Sequence, residues 1–141
     1  MIKSILVDSD VILDLMARRE PYYNNAAEIF TLAYRKKLTI YTTAVILANV
    51  FYILRKIIGI NDSKNQIKNL RLLIKILPIN ENIVDMTLNS KFSDFEDGLR
   101  YFTAIDAGIK TIITRNVKNY REKDIAVLTP EEYLKISNSI K

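Results

Sequence analysis

Short apolar runs that stop abruptly at polar residues recur along this chain, with helical stretches between them. Ile5-Leu6-Val7 is closed by Asp8, Leu38 to Tyr41 runs into Thr42 and Thr43, and Thr111-Ile112-Ile113-Thr114 leads into Arg115 and Asn116. Consecutive apolar residues without alternation, as in Ile5-Leu6-Val7, suit strands buried on both faces, as in parallel sheets covered by helices. Strand and helix alternate as expected of a doubly wound α/β domain, a mostly parallel central sheet flanked by helices in three layers. The 141 residues suffice for one such domain, and 49% hydrophobic content supplies its core. With three glycines and three prolines there is little room for linkers, so residues 1–141 are read as a single unit.

Caps and stripes place the helices. Asp10 opens the first, through Val11, Ile12, Leu15 and Met16, and Pro21 starts the second, with Ala26, Ala27, Ile29, Phe30 and Ala33 on its apolar side. Thr42 or Thr43 caps a strongly apolar helix that runs through Val50 and Ile53 and stops at Gly59. Asp62 or Ser63 caps the next, where Ile67, Leu70, Ile74 and Leu77 form one stripe and Pro78 ends it. A short helix is expected from Glu81 to Asn89 and another from Asp94 to Ala107, ended by Gly108. Ile125 to Leu128 is the last strand, and Thr129-Pro130-Glu131-Glu132 begins a final helix.

Composition removes whole classes of chemistry. Without cysteine there are no disulfides or thiolate metal sites, and without histidine there is no Ser/His triad and little scope for zinc. An enzyme built from this chain relies on Asp, Glu, Lys, Tyr or a metal-bound water. The net charge of +5 favours polyanionic partners such as nucleic acid. Met1-Ile2-Lys3 leads straight into the first strand, without a signal-peptide pattern, and no apolar run is long enough to span a bilayer. The expectation is a cytoplasmic protein with no membrane partner.

Four polar clusters sit where a strand or helix stops or is interrupted: Asp8-Ser9-Asp10, Asn49, Asp94-Phe95-Glu96-Asp97 and Thr114-Arg115-Asn116. Carboxylates gathered by folding repel one another by roughly 4 kcal/mol per pair about 4 Å apart at an effective dielectric near 20. A hard divalent cation with oxygen ligands is the usual remedy. Asp8 is placed at the carboxyl end of a central strand, where open α/β sheets bind ligands, or else it hydrogen-bonds the following turn. Asp10 at a helix start is read as a cap or a site residue, and Asp14 as a partner of Arg18. Asn49 lies on a face with Val45, Ile46, Tyr52 and Ile53, as a satisfied core amide or as one facing a polar pocket. Asp94 and Asp97 share a helix face, with Ser93 or Asp94 as N-cap. Core positions at Tyr101, Phe102 and Ile105 turn Asp97 inward. Thr114 and Asn116 end a strand as Asp8 does, unless Asn116 only caps the turn toward Tyr120.

A basic face of Lys64, Lys68, Arg71 and Lys75 follows one helix opposite its apolar stripe. It is read first as a solvated surface and second as an RNA groove. Lys36, Lys37, Arg55 and Lys56 are further candidates for phosphate contacts, none of which reads sequence.

In order and spacing these residues resemble a PIN domain, the small nuclease fold found in VapC-like toxins of toxin–antitoxin pairs. The likeness runs from Ile5 to about Leu134. It rests on Ile5-Leu6-Val7-Asp8-Ser9-Asp10-Val11, on Asp97-Gly98-Leu99 to Ala104 and Gly108, and on Ile112-Ile113-Thr114-Arg115-Asn116 with Tyr120. The resemblance implies an acidic quartet that binds Mg2+ or Mn2+ and cleaves RNA. Asp8 matches the first acid and Asp97 the third, while Asn49 and Asn116 stand at the second and fourth, with Asp10 and Asp94 beside matched positions. A cognate antitoxin protein and a homodimer are likewise implied by the resemblance.

Three functions are consistent with this. The leading one is metal-dependent hydrolysis of RNA, with Asp8, Asp97, Asp94 and Asp10 around the ion and Asn49, Thr114 and Asn116 orienting water or phosphate. A second is a degenerate PIN module that binds RNA or protein without cutting, suggested by the two amides. A third follows from Asp8-Ser9-Asp10-Val11, which also resembles the opening motif of haloacid-dehalogenase-like phosphatases. There Asp8 is the nucleophile and Asp10 the acid/base, and a separate lysine is needed.

Overall fold

A computed structural model describes residues 2–117 and 124–139. Tyr120 lies outside the described residues. The elements follow in the order β1 (Lys3–Val7), α1 (Ser9–Met16), α2 (Tyr23–Tyr34), β2 (Leu38–Thr43), α3 (Ala44–Ile58), α4 (Ile60–Leu70), β3 (Ile74–Leu77), α5 (Glu81–Leu88), α6 (Phe95–Asp106), β4 (Thr111–Ile113), β5 (Ala126–Leu128) and α7 (Pro130–Ser139). The strands form one sheet in the order β3-β2-β1-β4-β5, with every pair parallel. Ile5, Leu6 and Val7 of β1 and Ile112 and Ile113 of β4 are buried, as unbroken apolar runs in central strands should be.

This order fixes where a ligand can sit. The chain winds outward from β1 to β3 and then returns to place β4 against the other side of β1. Right-handed crossovers put the helices before and after that reversal on opposite faces. α1 packs on α2 and α3, α3 on α4 and α2 on α7, whereas α5 packs on α6. The crevice beyond the carboxyl ends of β1 and β4 is thus the topological switch point, the usual binding place in open α/β sheets.

Local capping explains several boundaries. Thr43 caps α3, its hydroxyl accepting from the Ile46 N–H at 3.1 Å, while the Thr42 hydroxyl donates to Val7 O at 3.3 Å. Thr129 and Glu132 close a reciprocal capping box on α7. Neither Asp62 nor Ser63 caps α4. Gly59, at φ 88°, turns the chain sharply so that α4 starts at Ile60, and the buried Ser63 hydroxyl donates to Gly59 O at 2.6 Å.

The helix expected to reach Pro78 is two elements. α4 stops at Leu70, and Ile74 to Leu77 form the edge strand β3, paired with β2 from Ile40↔Ile74 to Thr43↔Leu77. Ile67, Leu70, Ile74 and Leu77 satisfy helical spacing. A four-residue strand that buries only its end residues has the same spacing, and backbone pairing with β2 decides the outcome. The Arg71 guanidinium holds the turn by donating to Ile74 O at 2.9 Å. The basic face is split accordingly, with Lys64 and Lys68 on α4, Arg71 in the turn and Lys75 on β3.

Gly98 governs how close α6 lies to α5. A Cβ at this position would stand 2.6 Å from Thr87 Cγ2 and 3.3 Å from Phe92 Cβ. Thr87 cannot easily turn away, because it is buried and its hydroxyl donates to Ile83 O at 2.9 Å. Alanine favours a helix interior over glycine by about 1 kcal/mol, but overpacking costs about 1–3 kcal/mol. Gly98→Ala is therefore expected to lower the urea midpoint; an unchanged or higher midpoint would show that α6 is not held this tightly.

Candidate active site

Asp8 is the N-cap of α1 as well as the residue that ends β1. Its Oδ1 accepts from the Ser9 N–H at 2.7 Å, and its own N–H donates to Ile113 O at 3.0 Å, so the side chain is fixed at the β1/β4 crevice. It is only 5% exposed. Burying a charged carboxylate is unfavourable unless hydrogen bonds and opposite charge offset it. Two groups do so from elsewhere in the chain. The Thr114 hydroxyl lies 3.0 Å from Asp8 Oδ2, and Arg100 Nη1 lies 3.2 Å from Asp8 Oδ1.

Asp97 reaches the same place from α6. Asp94 caps that helix, accepting from the Asp97 N–H at 3.0 Å, and Asp97 itself is 3% exposed. It points inward because Leu99, Tyr101 and Ala104 face the core. Of the expected core positions, Tyr101 is buried and Phe102 packs half-buried against the core, whereas Ile105 is exposed. Arg100 Nη2 is hydrogen-bonded to Asp97 Oδ1. Burial raises the Asp97 carboxyl above its ordinary range despite the opposing charge of Arg100, with Asp94 and Asp8 adding to the rise.

Asp8 and Asp97 thus converge on one cation, and that cation is the guanidinium of Arg100. Its Nη1 also lies 3.9 Å from Glu96 Oε2, and that same oxygen accepts from Asn49 Nδ2 at 2.9 Å. Asn49 is accordingly a half-buried amide facing the polar pocket rather than a core residue. Glu96 and Arg100 belong to the cluster although neither stood out as a site residue in the sequence. Helical spacing carried the signal, since Arg100 lies three residues after Asp97 and four after Glu96.

Asp10 does not cap α1, because Asp8 already does. Its Oδ2 accepts from the Arg115 N–H at 3.0 Å and lies 3.3 Å from Thr114 Oγ1, while its Oδ1 is buried without a hydrogen-bond partner among the described residues. Burial and the charge of Asp8 raise its pKa, against the pull of Arg115. The Thr114 hydroxyl has one proton and touches two carboxylates, so both contacts are satisfied together only when one acid is protonated. Asn116 is exposed, and its N–H donates to Thr114 Oγ1 at 3.2 Å.

Asp14 does not pair with Arg18. It is fully buried and holds Arg19 Nε at 2.9 Å and Arg115 Nε at 2.7 Å, while Arg18 stacks on Tyr23. Burial works against the charge of Arg115, yet Asp14 and Asp10 hold its pKa above the ordinary guanidinium value. Asp14 fastens the segment after β4 to α1 and so positions the N–H that Asp10 accepts.

The donor set is chemically suited to a hard cation. Asp8, Asp97 and the unpartnered Asp10 Oδ1 are carboxylate oxygens of the kind Mg2+ and Mn2+ take. Among the described residues no three acidic side chains are close enough to ligate one ion as they stand. No helix among the described residues is long and apolar enough to cross a membrane.

An all-parallel α/β sheet with buried aspartates at its switch point defines a class of carboxylate-centred domains. The sequence pattern of the PIN domain matches residues 4–118, and the chain belongs to that family. It is 27% identical over 146 residues to Ribonuclease VapC1 of Aquifex aeolicus (strain VF5), covering 98% of each chain. Its fold is similar to that of a toxin-antitoxin complex from Klebsiella pneumoniae, with TM-score 0.67, 18% identity and 89% and 97% of the two chains covered. It is also similar to VapBC2 from Rickettsia felis bound to a promoter DNA fragment, with TM-score 0.66, 17% identity and 88% and 96% covered. The Mycobacterium tuberculosis sarcin-ricin loop cleaving toxin VapC20 gives TM-score 0.61 at 15% identity, with 77% and 86% covered. Among the described residues the cation paired with Asp8 is Arg100, whereas the phosphatase alternative needs a lysine there.

The raised pKa of Asp10 has a testable consequence. The native state retains a proton that the unfolded chain releases, so ionisation of Asp10 opposes folding as pH rises through its folded value. Below the ordinary aspartate range, near pH 4, the penalty is absent. In chelator-treated buffer Asp10→Asn is expected to melt about 2–4 °C above the parent at pH 7, with the gap closing below about pH 4. A lower melting temperature at pH 7 would contradict this electrostatic picture.

Proposed function

We propose that this chain is a metal-dependent endoribonuclease that hydrolyses RNA phosphodiester bonds, acting as the toxin of a toxin–antitoxin pair. The observation that carries the reading is the convergence of the buried carboxylates of Asp8 and Asp97, both within reach of one guanidinium, at the switch point of the sheet. Membership of the PIN-domain family supports it, as does the 27% identical relative named as a ribonuclease. Fold relatives described as toxin–antitoxin complexes support an antitoxin partner. Homodimerisation and a cytoplasmic location belong to the same proposal.

In this reading Asp8 and Asp97 would hold Mg2+ or Mn2+, and Asp94 and Asp10 would add negative charge directly or through water. When bound, such an ion would supply a water of lowered pKa and positive charge for the attacked phosphate. Thr114 fixes one oxygen of Asp8 and leaves the other directed at the pocket, where Arg100 now lies. Asn49 and Asn116 stand where the resemblance places acids and orient water or phosphate; amide oxygens ligate without charge and weaken the ion's hold. Surface lysines hold the RNA backbone with strong salt dependence.

A second reading, a module that binds RNA or protein without cleaving, is favoured by the Arg100 guanidinium, which already pairs with both aspartates. Cleavage of RNA by the purified protein in Mn2+ separates the two. Cleavage that chelator abolishes, and that Asp8→Asn lowers by about 100-fold or more, is expected of the nuclease. If Asp8→Asn cuts at the parental rate, the assignment fails.

A further inference from the structure

Arg100 is buried far more deeply than an arginine needs for a surface ion pair. Its side chain is 10% exposed, although Glu96, one turn earlier on α6, has a side chain 47% exposed that offers a partner in water. Its terminal nitrogens are instead divided between Asp8 and Asp97, with Glu96 at the mouth. One guanidinium therefore faces three carboxylates drawn from the end of β1 and the first turn of α6.

We propose that Arg100 is the resident counter-ion of this pocket, lying between Asp8 and Asp97 where a divalent ion would be held, so that metal binds only by displacing it and Arg100 sets the metal affinity. The inference rests on the metal-dependent reading given above. A divalent ion draws its oxygen ligands to about 2.0–2.6 Å, which leaves no space between them for a planar group of three nitrogens. A positive charge left beside the ion would also repel it strongly in a buried site.

Glu96 is placed to receive the displaced side chain. It shares a helix face with Arg100, already lies 3.9 Å from Nη1, and has its Oε2 held by Asn49 Nδ2 at 2.9 Å. Asn49 then acts through Glu96 as a positioning residue. An acid at position 49 would repel Glu96, whereas the amide orients it. Without metal the pocket still needs a counter-ion, and the chain supplies its own.

Manganese titration by calorimetry on the full chain tests this, using the parent, Arg100→Gln and Arg100→Lys, each checked for native circular dichroism. Arg100→Gln is expected to bind Mn2+ about tenfold or more tightly than the parent and to gain a larger metal-induced rise in melting temperature. Arg100→Lys, which keeps the charge but not the fork, should fall between them. In the parent protein, nitrogen-15 signals of the Arg100 side chain should shift on Mg2+ titration, a readout that requires no variant to fold. Equal or weaker Mn2+ binding by Arg100→Gln, or Arg100 signals indifferent to saturating Mg2+, would overturn the displacement while leaving the nuclease reading standing. Failure of the parent and both variants to bind at millimolar metal would overturn both.

Discussion

The placement of Asp8 governs the whole arrangement. It ends the central strand and starts the next helix, and it does so almost out of reach of water. A charge in that position persists only if the rest of the fold brings it partners. The Ser9 N–H comes from α1, the Thr114 hydroxyl from the end of β4, and the Arg100 guanidinium from α6. Besides the adjacent Ser9, two separate stretches of chain are therefore committed to one carboxylate, and both must arrive in register for the core beneath them to close.

The parallel sheet makes this possible. Because β1 and β4 are neighbours running the same way, Asp8 and Thr114 emerge at the same edge. Reversal of winding at that point keeps other strands from covering the crevice. Close packing of α5 on α6 at Gly98 sets the approach of the α6 N-terminus, which carries Asp94, Glu96 and Asp97. The site is thus a consequence of topology joined to one tight helix contact. Arg100 supplies the compensating charge that a second buried carboxylate requires, and without some cation Asp8 and Asp97 would oppose folding together.

Much of this was legible in the sequence, for identifiable reasons. An apolar run closed by an aspartate marks a strand end whatever its neighbours, which made Asp8 and the β4 end visible. Caps at Thr43, Asp94 and Thr129 were legible because they depend only on local hydrogen bonds. What depended on long-range pairing was not. Ile74 and Leu77 fit a helical stripe, and only pairing with β2 makes them a strand. Asp14 passed for the partner of Arg18, whereas it pairs with Arg19 beyond the helix end and with Arg115, 101 residues away. Arg100 was overlooked because an arginine on a helix is usually solvated. Its spacing from Asp97 and Glu96 was the available clue.

The proposed exchange of Arg100 for a divalent ion between the two buried carboxylates is examined directly by a crystal soaked in manganese. Anomalous scattering should place an ion against Asp8 and Asp97, with the Arg100 side chain turned toward Glu96. Density that leaves Arg100 bridging the two aspartates at saturating manganese, with no ion beside them, would contradict it.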